Sequence, residues 1–280
     1  MPANPGISYM DLSNNFFDGH IPSILGSWTN LSMLNISNNL LSGSIPPELG
    51  NLKKLGKLSL SANKLNGSIP SELGNCTELL ELVLSNNLLS GRIPAEIVVL
   101  DKLRNLLLSG NKFSGGIPDF FTPTQDLLEL QLGDNMLEGS IPSSLGSLQY
   151  ISTALNLSSN RLNGSIPPSL GQLRGLEVLD LSNNFLSGEI PSRLSDMVAL
   201  TFVNVSSNQL SGRLPEGWIK FLNSSPASFS GMRIATYVAA GRAQDGSSHL
   251  PSSIRSVDSV ADFPEDLTYE DILRATEKLE

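Results

Sequence analysis

The stretch LEVLDLSNNFLSGEIP, residues 176 to 191, is the clearest copy of a unit that recurs along most of the chain. Counted from Leu176 as position 1, leucines fill positions 1, 4 and 6, and Asn184 fills position 9. Seven more residues lead through Gly188 to Ile190 and Pro191. A pattern of this kind, if it recurs at a fixed period, indicates a repeat architecture built from stacked layers.

The position-9 asparagine recurs through most of the sequence. Successive copies are 24 residues apart, except for one spacing of 25 between Asn135 and Asn160. They define nine repeats, numbered 1 to 9 here, with position 9 at Asn15, Asn39, Asn63, Asn87, Asn111, Asn135, Asn160, Asn184 and Asn208. This period and the L-x-x-L-x-L-x-x-N pattern predict an α/β fold, a leucine-rich repeat solenoid.

The alternation within one unit predicts its local structure. In LEVLDLS the leucines at positions 4 and 6 face one way, while positions 3, 5 and 7 face the other, as in a half-buried strand. One parallel strand per repeat would form a sheet on the concave face, with short 3-10 or helical turns on the convex side. The position-9 amide can bond backbone groups at the turn, so we expect the asparagines to form a structural ladder.

Composition excludes several functional classes. The 280 residues carry a net charge of −9, and no run of Lys or Arg suggests a nucleic-acid partner. Cys76 is the only cysteine, so the sequence predicts no internal disulfide and no cysteine-based zinc site. No kinase glycine-rich loop, HRD or DFG motif occurs. We expect no catalytic residues, no metal and no cofactor.

The chain divides into four segments by composition. Residues 1–215 hold the nine repeats, and residues 216–231 resemble a partial C-terminal cap in which Trp218, Phe221 and Phe229 could cover the last layer. Residues 232–263 are rich in Ser and charge, which is typical of a flexible linker. In residues 264–280, a capping box and helical spacing predict a short acidic helix. We expect no signal peptide and no membrane span.

The SG-x-IP segments that follow the asparagines carry a resemblance to a known family. Over residues 7–215 the chain resembles the extracellular domain of plant leucine-rich repeat receptor kinases, and EDILRAT in the last segment resembles the helix just before their kinase domain. The resemblance implies a plasma-membrane receptor facing outward, a peptide or protein ligand, and a co-receptor. The family's cysteine caps, membrane span and kinase domain have no counterpart in the sequence.

Recognition is expected at the strand positions that the repeat signature leaves free, which are positions 3 and 5. In the middle repeats these positions form a mixed apolar and acidic strip, the predicted partner-binding site: Lys57, Glu81, Val83, Asn105, Leu107, Glu129 and Gln131. Val83 and Leu107 would be adjacent exposed apolar side chains, which suggest contact with a partner. The alternative is tolerated surface variation.

N-x-S/T sequons favour an extracellular protein, although the LNxS and LNGS segments of the repeat also generate them as a by-product. They begin at Asn30, Asn35, Asn66, Asn75, Asn156, Asn163, Asn204 and Asn223. Asn35, Asn156 and Asn204 occupy position 5, where glycans would cover repeats 2, 7 and 9. The sequence therefore predicts that a ligand binds to repeats 3 to 6.

These features predict a non-catalytic protein- or peptide-binding module. It would correspond to a truncated receptor ectodomain that senses an extracellular ligand in signal transduction. Two alternatives stay open: a secreted repeat protein that inhibits a wall-degrading enzyme, and a truncated or misjoined gene model of a membrane-bound serine/threonine receptor kinase. An unrecognised enzyme is a further, weaker alternative.

Overall fold

A computed structural model describes residues 6–98, 100–119 and 126–234. The helix expected at 264–280 and nearly all of the linker expected at 232–263 lie outside the described residues. The fold is that of a stack of layers, one layer per repeat, and it confirms the predicted solenoid with parallel strands and short 3-10 turns.

The front sheet contains one strand from each repeat. Within the described ranges it has nine parallel strands in chain order. They are Tyr9–Asp11, Met33–Asn35, Lys57–Ser59, Glu81–Val83, Asn105–Leu107, Glu129–Gln131, Ala154–Asn156, Val178–Asp180 and Phe202–Asn204. Neighbours pair in register, so each position lies opposite the same position of the next repeat, as Glu81 does opposite Asn105. Position 4 is buried throughout, except for partly buried Met10 in repeat 1.

A second set of parallel strands follows the position-9 asparagines and is called the side sheet here; among the described residues it comprises a two-stranded and a seven-stranded sheet. The described strands are Ser42–Ser44, Lys64–Asn66, Ser90–Gly91, Lys112–Gly115, Met136–Ser140, Arg161–Gly164, Phe185–Glu189, Gln209–Gly212 and Arg233–Ile234. Their pairing is offset by two positions, so that Lys112 lies opposite Ser90. Only one strand per repeat was predicted, and this second set of paired strands was not.

Short helical turns form the return side of the layers whose return segments are described. The 3-10 turns are Ser23–Ser27, Pro47–Asn51, Ser71–Asn75, Ser143–Ser147, Pro168–Gln172, Ser192–Asp196, Glu216–Trp218 and Pro226–Phe229; the α-helical segments are Ala95–Val98 and Ile219–Ser224. The turns stack closely: a Cβ added at Gly50 would lie 2.6 Å from the carbonyl carbon of Glu72 in the next layer. Glycine is therefore required there for packing.

The position-9 asparagines join neighbouring layers. Asn63 donates from Nδ2 to the carbonyls of Leu60 and Ser61 in its own repeat and of Ile36 in the preceding one. Its Oδ1 accepts the backbone N–H of Leu41. The same four-bond arrangement occurs at Asn39, Asn87, Asn111, Asn135, Asn160, Asn184 and Asn208.

Asn15 differs from the other ladder asparagines. It is exposed, and within the described residues its side-chain amide donates to the carbonyls of Leu12 and Ser13 in its own turn. The outer layer is open in the same region, because Leu12 is 37% exposed whereas Ile36, at the same position of repeat 2, is 5% exposed. The ladder therefore gains its interlayer bonds from repeat 2 onward.

Residues after the last repeat cover its core. Trp218, Phe221 and Phe229 are buried, and the Trp218 indole N–H donates to the carbonyl of Leu194 at 3.2 Å. The backbone N–H of Val205 donates to Ser228, continuing the interlayer pattern. Arg233–Ile234 also pairs with the side sheet, so ordered pairing extends into the first residues of the segment predicted to be a linker.

Candidate functional site

The seven residues predicted to bind a partner lie together on the front sheet. Lys57, Glu81, Asn105 and Glu129 occupy position 3 of consecutive strands, and they are mutual partners in the sheet register. Val83, Leu107 and Gln131 form the neighbouring row at position 5. All seven are half-buried. We call this surface of repeats 3 to 6 the middle face.

Polar side chains on the middle face bond one another across strands. Lys57 Nζ lies 2.6 Å from Glu81 Oε2. Farther along, Asn105 Nδ2 donates to Glu129 Oε2 at 3.1 Å, and Gln131 Nε2 donates to Glu129 Oε1 at 3.0 Å. An exposed ion pair of this type contributes about 0–1 kcal/mol to stability. These bonds fix the orientation of the carboxylates more than they stabilise the fold.

The apolar pair on the middle face is formed by Val83 and Leu107, which lie directly opposite each other on adjacent strands. Both are half-buried rather than fully exposed, because adjacent side chains on a sheet shelter one another. Their remaining surface is available to a partner. The pair lies beside the polar position-3 row, so apolar and acidic groups meet within a few residues.

Position 5 has a different role in the flanking repeats. There Asp or Asn accepts a hydrogen bond from the backbone N–H of Ser at position 7, as Asp180 does from Ser182 at 3.0 Å. The hydroxyl of Ser182 also donates to the same carboxylate oxygen at 2.7 Å. Equivalent backbone bonds form at Asp11, Asn35, Asn156 and Asn204. Such bonds are Asx turns, in which a side chain replaces backbone pairing.

The Asx turn also perturbs an ionisable group. The pKa of Asp11 is lowered from its ordinary value of 3.8, chiefly because the Ser13 side chain and backbone N–H both donate to the carboxylate. These turns were not predicted, although the D-x-S and N-x-S patterns contained the signal. N-x-S was interpreted as a glycosylation sequon or as a by-product of the repeat.

The middle repeats lack this local bond. Their position-5 residues are Ser59, Val83, Leu107 and Gln131, and none accepts a bond from position 7 within the described residues. In repeat 5 the consequence is visible, because the Ser109 hydroxyl is buried and has no hydrogen-bond partner in the part of the chain that the structure describes. An unsatisfied buried hydroxyl is unfavourable, typically by about 1–3 kcal/mol.

The sequons surround the middle repeats. Asn35, Asn156 and Asn204 are half-buried on the front sheet, and Asn66 and Asn163 are exposed in the side sheet. The others lie at Asn30, where the amide oxygen accepts a bond from Lys54, at exposed Asn75, and within the helix that contains Asn223. The sequence contains no sequon between Asn75 and Asn156. Repeats 4 to 6 are therefore free of sequons on every side.

Residues 6–98, 100–119 and 126–234 contain no group of three or more His, Cys, Asp or Glu side chains able to hold a metal ion. No helix among the described residues is long and apolar enough to span a membrane.

Family comparisons agree with this architecture. The description "Leucine rich repeat" matches residues 5–65 and 153–210, and a second model of the same description matches residues 78–100, 102–123 and 126–148. The chain belongs to the leucine-rich repeat family. No match was found among curated protein sequences.

Solved structures identify the kind of repeat. The Arabidopsis receptor kinase HAESA, in complex with the peptide hormone IDA and the co-receptor SERK1, is 36% identical with a TM-score of 0.79, over 84% of this chain and 39% of that chain. The plant peptide hormone receptor RGFR1, in complex with RGF2, is 34% identical with a TM-score of 0.73, over 82% of this chain and 35% of that chain. These matches confirm the resemblance to plant receptor kinase ectodomains.

A different plant protein also matches. A plant ice-binding protein is 30% identical with a TM-score of 0.64, over 78% of this chain and 77% of that chain. The chain spans well under half the length of the two receptor chains described above. The repeat alone therefore does not determine function, and the side chains on the front sheet must be considered.

Proposed function

We propose that the protein is a non-catalytic binding module of a plant receptor type, which takes an extracellular peptide or protein ligand on the middle face. The proposal rests on one observation, the difference at position 5 between the flanking repeats and the middle repeats. Flanking repeats use this position for a local Asx turn, whereas repeats 4 to 6 carry half-buried Val83, Leu107 and Gln131 there and repeat 3 carries buried Ser59. Val83 and Leu107 cannot form the hydrogen bond from position 5 to position 7, and part of their apolar surface faces outward. Such a surface is suited to contact with a partner.

The similar receptors support this proposal and its setting. HAESA is described with a peptide hormone and a co-receptor, and RGFR1 with RGF2. By analogy we place this protein at the cell surface, on the extracellular side of the plasma membrane, as a glycoprotein with a peptide or protein ligand and a co-receptor. The segment boundaries at 215, 231 and 263 and the use of the N-x-S/T sequons as glycosylation sites are parts of this proposal.

The inhibitor alternative also requires a protein-binding surface on the front sheet, so its target, rather than this surface, distinguishes it from a receptor. The boundary between local Asx turns and free position-5 side chains occurs twice, between repeats 2 and 3 and between repeats 6 and 7. A bounded window of this length favours a discrete ligand.

A glycan placed on the middle face tests the proposal. Val83→Asn creates a sequon with Leu84 and Ser85. Random dodecapeptides displayed on phage would be selected on the full 280-residue chain secreted from plant cells. We expect the selected peptides to lose binding to the glycosylated Val83→Asn protein, because the glycan covers the neighbouring front strands.

The matched control is Lys112→Asn, which creates a sequon with Phe113 and Ser114 on the side sheet of repeat 5. Lys112 is exposed, so a glycan there should leave peptide binding unchanged. Peptides that bind the glycosylated Val83→Asn protein as well as the wild type would contradict the proposed site. Failure to select any peptide would contradict the proposed function.

A further inference from the structure

The charges on the middle face are not balanced. Glu81 has a cationic partner in Lys57. Glu129 receives two bonds from neutral amides, those of Asn105 and Gln131, and neither salt bridge found among the described residues includes it. A carboxylate has about four acceptor sites, so Glu129 retains capacity for a cationic donor.

An apolar surface lies a short distance from this carboxylate. Val83 and Leu107 are adjacent in repeats 4 and 5, and Glu129 belongs to repeat 6. With strands about 4.8 Å apart, a side chain resting between Val83 and Leu107 lies about 7 Å along the stack from the layer of Glu129. Residues i and i+2 of an extended peptide are separated by about 6.6–6.8 Å. Glu129 also lies in the position-3 row, two residues or about 6.7 Å along the strand direction from the position-5 row, so the full separation is about 10 Å. The long side chain of a Lys or Arg at residue i+2 spans the remaining distance.

The local bonding explains why Leu107 matters. Asn or Asp at this position would accept bonds from Ser109, as Asp180 does from Ser182. Leucine leaves the Ser109 hydroxyl buried without a partner among the described residues. Leu107 therefore lacks the hydrogen bond to Ser109 that Asn or Asp would form, and instead provides an apolar contact surface.

We propose, on the basis of the proposed function, that the ligand is an extended peptide segment with an apolar residue and a Lys or Arg two residues away. The apolar side chain packs on Val83 and Leu107, and the cation donates to Glu129. The spacing makes this an apolar-x-basic pattern, or its reverse if the peptide runs in the opposite direction. The complementary charge is what selects a basic rather than an acidic segment.

The test compares peptides selected on different versions of the full chain. Dodecapeptides selected on the wild type should be enriched about tenfold or more in the apolar-x-basic pattern relative to the input library. Selection on Glu129→Lys should instead enrich apolar-x-acidic peptides. Glu129→Gln, which keeps the shape, should weaken binding of a synthetic wild-type-selected peptide about tenfold in calorimetry.

The matched control is Glu138→Lys, the same charge change in the same repeat but at an exposed position of the side sheet. It should leave the enriched pattern unchanged, and circular dichroism should show that each variant is folded. Peptides that lose binding to glycosylated Val83→Asn yet show no basic preference would overturn this inference and leave the proposed function intact. If no selected peptide loses binding to glycosylated Val83→Asn, this inference and the proposed function are both overturned.

Discussion

Repeats 3 to 6 and the repeats on either side of them share a backbone but differ in one side-chain position. At position 5, the flanking repeats carry Asp or Asn bonded to the serine two residues on, as in the pair Asp180 and Ser182. The middle repeats place side chains there that make no such bond in the described structure. The difference shows that the layer can form without the Asx turn, so position 5 is free to serve another purpose.

The ladder asparagine behaves in the opposite way. Asn111 in a middle repeat and Asn184 in a flanking repeat make the same four bonds to the backbone. Position 9 is therefore structural everywhere, whereas position 5 is structural in some repeats only. A substitution series at the two positions can test whether this division is real.

The largest effect is expected at the ladder. Asn111→Ala would leave the N–H of Leu89 and the carbonyls of Leu84, Leu108 and Ser109 without this amide. Because each unsatisfied buried group is costly, we expect a loss of about 3 kcal/mol in the free energy of unfolding, measured by urea denaturation. Asn184→Ala should cost a similar amount.

Asn15→Ala is the matched control for the ladder. This asparagine is exposed and its side chain donates only to carbonyls of its own turn, so its replacement should cost less than about 1 kcal/mol. An equal loss at Asn15 and Asn111 would show that the interlayer bonds are not what makes the ladder important.

Much of this architecture could be predicted from the sequence because the repeat specifies it many times over. Leu179 lies in a front strand, Leu181 is buried just after it, and Asn184 belongs to the ladder, as the L-x-x-L-x-L-x-x-N pattern predicts. The side sheet was not predicted, because pairing of strands such as Phe185–Glu189 depends on the neighbouring layer. Local propensity does not contain that information.

The location of the middle-face residues could be predicted from the sequence, but the hydrogen bonds between their side chains could not. Register alone placed Glu129 beside Asn105 and Gln131 on one face. The sequence could not show that both amides donate to this carboxylate, since side-chain orientation depends on the surrounding strands. The sequence also could not show that the Ser109 hydroxyl is buried without a hydrogen-bond partner among the described residues.

An intermediate effect is expected at the Asx turn. Asp180→Leu removes the acceptor of both the backbone N–H and the hydroxyl of Ser182, which is 3% exposed. We expect a loss of about 1–2 kcal/mol in urea denaturation, since the serine hydroxyl becomes unsatisfied as it is at Ser109. An unchanged free energy of unfolding in Asp180→Leu would show that the Asx turn does not stabilise the flanking repeats. Position 5 would then not be structural in the flanking repeats, contrary to the comparison made above.

The smallest effect on stability near neutral pH is expected from the Cys76 thiol in the core of the middle repeats. This core should exclude water as well as the core of the flanking repeats does. Cys76 in repeat 3 is buried, and burial raises the pKa of its thiol from 9.0 to about 11. The folded state thus disfavours the thiolate. Its contribution to stability is fully present below pH 9.0 and is lost as pH rises through about 11.

Iodoacetamide labelling at pH 8 measures this directly. We expect slow labelling of the native protein and rapid labelling in urea, because the thiolate is the reactive form and the native site is closed. Native labelling as fast as in urea would indicate that the middle repeats open locally.

The most direct measurement makes the reciprocal change to Asp180→Leu. Leu107→Asn, produced without glycosylation, would let position 107 accept bonds from Ser109, as Asn156 does from Ser158. We predict that the melting temperature rises by about 2–4 °C while binding of a wild-type-selected peptide weakens about tenfold or more. Asp180→Leu should do the reverse, lowering stability and preserving binding. Unchanged peptide binding in Leu107→Asn would contradict the claim that position 5 of the middle repeats is reserved for a partner.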